Sequence, residues 1–435
     1  MLTKPKILFI FPKWPGNALW GHFKFKFPPL GLLTLAGLTP DKYDVEFTDE
    51  NVSPIDFKTE ATLVAISVMT PLAYRAYEIG DKFRALGKTV VMGGIHASMM
   101  PDEAAPHADA VVAGEADDLW LQLLSDFSKG ELKPRYNSSL IDMDRDFPTA
   151  RRDLLKSGCY VTRSTIQLMR GCPYDCEFCS VTAFSGRKFR FRPLGQFVEE
   201  FKSLPDPFVF IVDDNLLSNR KVAFELFEKL RDAKKWWGSQ VTIAIADNDE
   251  LLKKMAACGC KMLFIGFESL NQDNLQQMGK KFVTASKNAD RIKKIQDHGI
   301  GILGSFIVGC DHDTDSVFDE QYEFILGTRL ETFLISVLTP FPGTHLARRM
   351  EQEGRILSHE WNKYDMSTVV YQPTNFKPEV LQEKYDELNH SLYSLSSIAH
   401  RSFKLRKSSF MFIMQNMGFR SAWHKLLETR EADSR

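Results

Sequence analysis

Short apolar runs alternate with stretches of helical periodicity through the first third of the chain. The run at 6–11 is apolar at nearly every position, which is typical of a parallel strand buried on both faces. Further strands are predicted at 45–50, 63–69, 89–94 and 110–114, with helices at 27–38 and 71–86. This alternation predicts an α/β domain with a doubly wound, Rossmann-like parallel sheet, whose ligands bind at the carboxyl ends of the strands.

Several polar and glycine-rich loops follow these strand ends. The candidate loops begin with residues 12–27, and the candidate ligand-binding residues in the later loops are Asp49, Asn51, Met69, Thr70, Gly93, Gly94, His96, Gly114 and Glu115. The Gly93-Gly94 pair allows a close approach of backbone to a ligand. The glycines do not form Gly-x-Gly-x-x-Gly, so a dinucleotide site is rejected. A sheet with tight turns and no ligand is the alternative interpretation.

A second strand–helix pattern follows a polar, turn-rich connector. Strands are predicted at 164–169, 208–215, 240–246, 262–269, 300–309 and 332–339, with helices at 221–234, 249–258 and 285–298. Repeated units of this kind predict a full or partial (β/α) barrel, with its chemistry at the carboxyl ends of the strands. We divide the chain into a first domain (1–125), a connector (126–160), a barrel (161–345) and a helical C-terminal region (346–435).

The composition narrows the class of protein. The chain has 435 residues, enough for two or three domains, and its 44% hydrophobic and 26% charged residues are those of a globular protein. A net charge of −1 provides no field to recruit nucleic acid. We see no signal peptide and no apolar run of the ~20 residues that a membrane span requires. Seven cysteines, three of them clustered, indicate a reducing, cytoplasmic location and a metal site rather than disulfides.

The metal site is predicted at Cys172-x-x-x-Cys176-x-x-Cys179, where three thiols share one short loop. Four cysteines usually hold a cubane iron–sulfur cluster, so three would leave one iron open. A zinc site is the weaker alternative, because it needs a fourth ligand and only Cys159 is near in sequence. Cys258 and Cys260, at a helix end, are expected to be buried and inert.

Carboxylates follow two barrel strands. Asp213 and Asp214 end one strand, where they either serve a ligand or cap the next helix. Glu268 closes an apolar strand and therefore needs a partner, such as a ligand amine or hydroxyl.

The cysteine loop, with Phe178 before its last cysteine, resembles the signature of the radical S-adenosylmethionine (SAM) enzymes. The stretches at 27–32, 49–52, 93–97 and 110–115 resemble the cobalamin-binding domain that precedes the barrel in one subgroup, which adds Pro29 and Gly31 to the candidate binding residues. The stretches at 210–215, 264–269 and 338–344 continue the likeness through the barrel. The similarity covers roughly residues 5 to 395 and is strongest to hopanoid C-3 methylase-like enzymes.

This resemblance implies that Cys172, Cys176 and Cys179 hold a [4Fe–4S] cluster whose open iron binds SAM. It also implies that the Phe178 backbone, Ile307 and Gly309 contact adenine, that the stretch Asp213, Asp214 and Asn215 meets the methionyl amine, and that Glu268 approaches the ribose or methionyl end. Arg187, with Arg190 and Arg192, is expected either to clamp a carboxylate or phosphate or to be a solvated basic stretch.

The implied activity is cobalamin-dependent methylation of an unactivated carbon on an apolar or lipid-like small molecule, with a 5′-deoxyadenosyl radical made from SAM. The electron would come from a reductant such as flavodoxin or ferredoxin. Radical cyclisation, oxidation or carbon–carbon bond formation without methyl transfer is the alternative, and a structural metal module is disfavoured. The Asp-x-His-x-x-Gly motif that supplies histidine to cobalt is absent, since neither His96 nor His107 fits it.

The C-terminal tail has no acidic residue from 388 to 427, and its basic residues are interleaved with aromatic and aliphatic ones. Its basic residues are Arg401, Lys404, Arg406, Lys407, Arg420 and Lys425. Such a helix either caps the open end of the barrel, which we favour, or contacts an anionic membrane surface peripherally.

Overall fold

The computed structural model describes residues 4–24, 26–216, 219–280, 283–402 and 409–433. Within these residues the chain forms two six-stranded parallel sheets, each with helices packed against it, and ends in a helical region. The predicted fold class is confirmed.

The first sheet has the strand order β2-β1-β3-β4-β5-β6 and is parallel throughout. Its strands are β1 Lys6–Phe11, β2 Asp44–Asp49, β3 Leu63–Ser67, β4 Thr89–Gly93, β5 Ala110–Ala113 and β6 Arg135–Asn137. Its helices are α1 Leu30–Leu38, α2 Ala73–Ala85, α3 Ile95–Met99, α4 Pro101–Ala104 and α5 Trp120–Lys129. The strand order reverses between β1 and β3, and sheets of this kind bind ligands at the carboxyl ends beside such a point.

The stretch expected to be a plain connector contributes structure to the first domain. Within it, β6 adds an edge strand beside β5, and Tyr136 of β6 is buried in the core of the first sheet. A three-residue edge strand carries too little periodicity to be seen in a polar segment. How the chain divides into domains stays a prediction.

The second sheet has the order β14-β13-β12-β11-β10-β7, so β7 and β14 form its two edges and the barrel is partial. Its strands are β7 Thr165–Ile166, β10 Phe208–Ile211, β11 Trp236–Val241, β12 Cys260–Glu268, β13 Gly301–Val308 and β14 Thr332–Val337. A separate antiparallel pair joins β8 Met169–Arg170 to β9 Arg190–Phe191. Its helices are α6 Ser180–Ser185, α7 Leu194–Ser203, α8 Arg220–Leu230, α9 Asp249–Ala257, α10 Gln272–Gln277, α11 Asn288–Asp297, α12 Val317–Thr328 and α13 His345–Gln352.

Three of the predicted barrel strands were wrong in extent, and the one expected at 208–215 ends at Ile211. The strand expected at 164–169 is broken between β7 and β8, because the Leu168 and Met169 amides turn to a buried carboxylate. The strand expected at 240–246 begins earlier, at Trp236, and gives way to a 3₁₀ helix at Ile243–Asp247. A short buried apolar run does not distinguish a strand from a helical turn by periodicity.

The C-terminal region consists of α14 Pro378–Leu392, α15 Leu395–Ser402 and α16 Ser409–Asp433. Helix α16 packs on the barrel: Phe412 is buried against Met262 and Leu303, and Trp423 lies edge-on to Tyr385 at 5.4 Å. This packing is that of the expected cap. The predicted basic positions Lys404, Arg406 and Lys407 lie outside the described residues.

Candidate active site

The three cysteines lie on the loop that links β8 to α6. The Cys179 amide donates to the Cys176 carbonyl at 3.0 Å and closes the loop on itself. Burial raises the pKa of all three thiols, that of Cys176 to about 12, so positive charge is needed to hold them as thiolates. Among the described residues, no three His, Cys, Asp or Glu side chains are grouped for one metal ion.

Glycine holds the start of the cysteine loop against its neighbour. Gly171 has a φ of +89°, and a Cβ there would lie 2.3 Å from the Lys188 carbonyl oxygen. Its amide donates to Asp214 Oδ2 at 2.9 Å. A side chain at position 171 would therefore push the cysteine loop away from the β9 side.

The two acidic residues after β10 bind backbone of the preceding strand region. Asp213 is fully buried, and its Oδ1 accepts from the amides of Leu168 (2.7 Å) and Met169 (3.2 Å). Its Oδ2 has no hydrogen-bond partner in the part of the chain that the structure describes, and burial raises the pKa of Asp213 to about 8. Asn219, not an aspartate, caps the next helix by accepting from the Val222 amide. The helix-cap interpretation of Asp213 and Asp214 is therefore wrong.

Beyond these acids, the Asn215 side chain is buried beside the Cys172 thiol. The end of β10 thus touches the cysteine loop both directly and through Asp214. Its contact with a methionyl amine stays a prediction.

A buried ion pair that the sequence did not reveal lies behind the cysteine loop. Lys280 Nζ donates to Glu268 Oε1 at 2.5 Å and to the Gly266 carbonyl at 3.1 Å. Burial disfavours the ammonium, but Glu268 and the Cys176 thiol outweigh it and raise the pKa of Lys280. Glu268 sits at a bulge of β12 with a φ of +61°. The partner expected for Glu268 is thus a lysine of this chain, and further contact with SAM stays a prediction.

The carboxyl end of β13 forms a rigid turn. Gly309 has a φ of +88°, its amide donates to Asp313 Oδ2 at 2.9 Å, and its carbonyl accepts from the Tyr371 hydroxyl. A Cβ on Gly309 would lie 2.3 Å from that hydroxyl oxygen. Ile307 is buried beside this turn, and Phe178 packs half-buried on the barrel core. Their predicted contacts with adenine are not tested by this packing.

One cavity of about 1690 Å³ lies between the two sheets. Its lining includes nine of the residues predicted at the first sheet: Pro29, Gly31, Asp49, Asn51, Met69, Gly93, Gly94, Gly114 and Glu115. The barrel contributes Gln167, Arg170, Val212 and Asp214. A pocket for one drug-sized ligand measures about 300–1,000 Å³, so this cavity has room for more than one bound group.

Glycines and a fixed turn form the floor of this cavity. Gly94 has a φ of +95°, and a Cβ there would lie 2.9 Å from the Val68 amide nitrogen. Asp49 is buried and accepts from the Asn51 amide at 2.9 Å and from the Tyr160 hydroxyl at 3.2 Å. Burial raises the pKa of Asp49 despite these bonds. A bare glycine edge on a parallel sheet suits a large flat cofactor such as cobalamin, which needs close backbone approach.

Two of the predicted binding residues do not reach the cavity. His96 is fully buried, with Nδ1 3.3 Å from Thr70 Oγ1 and Nε2 3.1 Å from the Tyr77 hydroxyl. Its ring also lies edge-on to Trp361 at 5.3 Å, and burial lowers the pKa of His96. His96 and Thr70 therefore serve the core of the first domain. The helix that begins at Ile95 turns the side chain inward, which a glycine-rich sequence does not disclose.

Glu115 joins the two sheets. Its carboxylate binds Arg190 at 2.6 and 2.7 Å and accepts from the Ile141 amide at 3.0 Å. Beside it, Arg170 binds Asp117 at 2.8 and 3.1 Å. These bidentate pairs fix the orientation of the first domain on the cysteine loop. Glu115 thus lines the cavity with its charge already neutralised.

The other predicted arginines do not meet at the cavity. Arg187 is 62% exposed and pairs with Asp175 of the cysteine loop at 3.1 Å. Arg192 is buried and pairs at 2.5 Å with Glu200, which also pairs with Arg152 at 2.8 Å. An anion clamp made of Arg187, Arg190 and Arg192 is therefore wrong. The three side chains diverge because each one pairs with a different carboxylate: Asp175, Glu115 and Glu200.

The remaining cysteines fit the structural expectation. Cys258 and Cys260 are buried in the barrel core, and burial raises the pKa of Cys258 to about 12. No helix of the described residues is both long and apolar enough to cross a membrane.

Comparisons with known proteins agree with this geometry. Residues 166–325 match the model of the radical SAM superfamily, and residues 16–124 match that of the B12 binding domain. Bacteriochlorophyllide d C-12(1)-methyltransferase of Chlorobaculum tepidum is 32% identical over 387 residues, covering 86% of this chain and 84% of that protein. Hopanoid C-3 methylase of Methylococcus capsulatus is 28% identical over 259 residues, covering 57% of this chain and 48% of that protein.

A solved structure shows the same overall fold. The radical SAM methyltransferase TsrM of Kitasatospora setae, with cobalamin and a [4Fe–4S] cluster bound, superposes with a TM-score of 0.70. The alignment covers 98% of this chain and all of TsrM, at 16% sequence identity. The arrangement of a B12-type sheet on a radical SAM barrel is therefore a shared architecture.

Proposed function

Because this chain belongs to the radical SAM superfamily and carries its B12 binding domain, we propose that it methylates an unactivated carbon of an apolar small molecule. The observation that carries the proposal is the cavity between the two sheets. It joins the carboxyl ends of the first sheet to Gln167, Arg170 and Asp214 beside the cysteine loop. A methyl carrier on one side and a radical source on the other could thus act on one substrate between them.

The predicted cofactors, a [4Fe–4S] cluster, SAM and cobalamin, are those of the family. When bound, the cluster supplies the electron that cleaves SAM to a 5′-deoxyadenosyl radical, and cobalamin supplies the methyl group. The protein contributes binding, orientation and exclusion of water.

Individual side chains support these tasks. Cys172, Cys176 and Cys179 are the proposed cluster ligands, and the Lys280 ammonium provides buried positive charge next to two of them. The Glu115–Arg190 pair closes the space between the domains on one side. A closed site protects a radical from reaction with water or stray hydrogen donors.

The cluster also requires a one-electron reductant. We propose that a flavodoxin- or ferredoxin-type protein approaches the outer side of the cysteine loop, where Arg187 is mostly exposed. Lys188 beside it is exposed as well, so an acidic redox partner would meet positive charge beyond the Arg187–Asp175 pair. Peripheral membrane contact through the tail stays a prediction.

Anaerobic reconstitution tests the proposal. We expect a brown protein with about four irons per chain, formation of 5′-deoxyadenosine from SAM and dithionite, and retention of hydroxocobalamin through gel filtration. Cys176→Ala should abolish deoxyadenosine formation, whereas Cys258→Ala, a matched buried thiol outside the loop, should not. If hydroxocobalamin is lost on gel filtration, methyl transfer is refuted in favour of cyclisation or oxidation. If the two variants form equal amounts of deoxyadenosine, the assignment of the cluster to this loop is refuted.

A further inference from the structure

Half of the large apolar side chains that are exposed in the described residues line this cavity. Twelve large apolar residues are exposed in the described part of the chain, and six of them line this cavity. We call these six the apolar mouth: Phe27, Val161, Trp236, Phe410, Met414 and Met417. Contiguous apolar surface that opens into a pocket marks a binding site more often than scattered exposure does.

One wall of the apolar mouth is a face of α16. Phe410, Met414 and Met417 are spaced by four and three residues, so they share one side of the helix. Phe412 and Phe419 are buried and anchor the helix to the barrel and the C-terminal helices. The mouth-facing side chains are thus held in place without being covered, and Phe410 is 76% exposed.

The opposite wall is the loop between β1 and α1. Phe27 lies 5.5 Å from Phe210 of the barrel, and Phe23 lies edge-on to Phe419 at 4.8 Å, between ring centroids. The loop therefore bridges the first domain, the barrel and α16. Both walls are tied to one another, so the opening between them has a fixed shape.

The apolar mouth is far from the cysteine loop along the barrel. Phe208 and Trp236 begin their strands, whereas Val212 and Asp214 follow the carboxyl end of β10, and all four line the cavity. The strand β10, Phe208–Ile211, already separates the two ends by about 10 Å, because a strand rises about 3.3 Å per residue. A ligand that touches both ends of the cavity must itself be elongated.

We propose that the apolar mouth binds the far end of an elongated apolar substrate, while the carbon that reacts lies near Asp214. This inference rests on the proposed function and specifies the substrate class within it. Two of the six side chains are methionines, whose flexible thioethers adapt to an irregular hydrocarbon surface. Specificity then depends on the length of the apolar body as well as on the reacting carbon.

Chain-length dependence of binding tests the proposal without turnover. Octanoate, dodecanoate and hexadecanoate are titrated against the reconstituted protein with 1-anilinonaphthalene-8-sulfonate as the displaced fluorophore. We expect affinity to rise by about fourfold for each added methylene that enters the mouth. A flat series would overturn the proposal.

Substitutions in the apolar mouth test whether the dependence of affinity on chain length arises there. Met414→Gln and Phe410→Gln should each weaken hexadecanoate at least about tenfold and octanoate much less, because only the longer chain reaches α16. Leu395→Gln is the matched control, since Leu395 is 60% exposed and does not line the cavity. Trp236→Gln, on the barrel side, should reproduce the loss. An equal loss in the control, or an effect independent of chain length, would contradict the proposal.

Two further measurements separate the competing outcomes. If the variants lose partition onto vesicles of phosphatidylglycerol but keep the chain-length dependence, the mouth is a membrane contact and the proposal is overturned. Deoxyadenosine formation reports on the proposed function independently. If affinity depends on chain length but no deoxyadenosine forms, this inference stands and the proposed function is refuted. If deoxyadenosine forms but affinity does not depend on chain length, the proposed function stands and this inference is refuted.

Discussion

Replacing Lys280 with methionine should destabilise the barrel strongly. The side chains of Lys280 and Glu268 are about one-tenth exposed, at 10% and 9%, and their charged atoms are 2.5 Å apart. Methionine approximates the length of the lysine stem but brings no charge. The Glu268 carboxylate would therefore be left buried without its cation, at a bulge that prevents it from turning to solvent.

The magnitude follows from the loss of one partner of a buried pair, which costs about 3–5 kcal/mol. In a domain of this size, 1 kcal/mol shifts the midpoint of thermal unfolding by about 2–4 °C. We therefore expect the barrel transition to fall by roughly 6–20 °C. The apoprotein is the right sample, because bound cofactors would add their own stabilisation.

Differential scanning calorimetry of the apoprotein measures this shift. Lys253→Met is the matched control: Lys253 pairs with Asp249 at 2.8 Å, but both side chains are largely exposed, so the midpoint should stay unchanged. Adding Glu268→Gln to Lys280→Met should recover part of the loss by removing the unpaired charge. Equal midpoints for the Lys280 and Lys253 variants would refute the reasoning.

Three other predictions follow from the site. The folded-state pKa of Asp213, about 8, lies above its unfolded value, so the protonated carboxyl stabilises the fold fully below pH 4 and this stabilisation is lost as pH rises through 8. The wild-type protein should therefore lose ~4 kcal/mol of unfolding free energy between pH 5 and 8 that Asp213→Asn does not lose. The variant should show a flatter curve of thermal midpoint against pH. Arg190→Met should leave Glu115 without its bidentate partner and speed limited proteolysis between the domains, whereas an unchanged rate would show that the pair does not hold them together. Gly94→Ala should cost about 1–3 kcal/mol and weaken hydroxocobalamin retention, while Gly195→Ala, outside the cavity and at a position where a Cβ meets nothing within 4 Å, should cost little; similar retention by both would count against Gly94 as part of the floor.

The cysteine loop and the two sheets could be predicted because their signals are local. Ligand spacing on one loop and apolar strands between helices are both properties of consecutive residues. The pairing of Lys280 with Glu268 could not be predicted from such a local signal. It depends on a bulge after Gly266 that turns the carboxylate inward, and no periodicity in the sequence encodes that bulge.

The sequence also did not reveal which side chains after the strands of the first sheet point into the cavity. Gly93, Gly94 and His96 follow the same strand, yet the glycines line the cavity and the histidine is in the core. The α3 helix starts at Ile95, so the backbone at residue 96 is already helical and the His96 side chain is directed away from the strand end. A one-residue difference in where a helix begins therefore decides whether a residue meets a ligand.

The charges around the cavity explain why an apolar substrate would enter from only one side. Between the domains, Arg170–Asp117 and Arg190–Glu115 form a row of buried ion pairs, and an apolar molecule passing there would have to separate them. Helix α16 instead offers Phe410 and its neighbours, which lose contact with water when hydrocarbon covers them. The same arrangement orients the substrate, because the end that enters first reaches Asp214 and the end that remains is held at the apolar mouth.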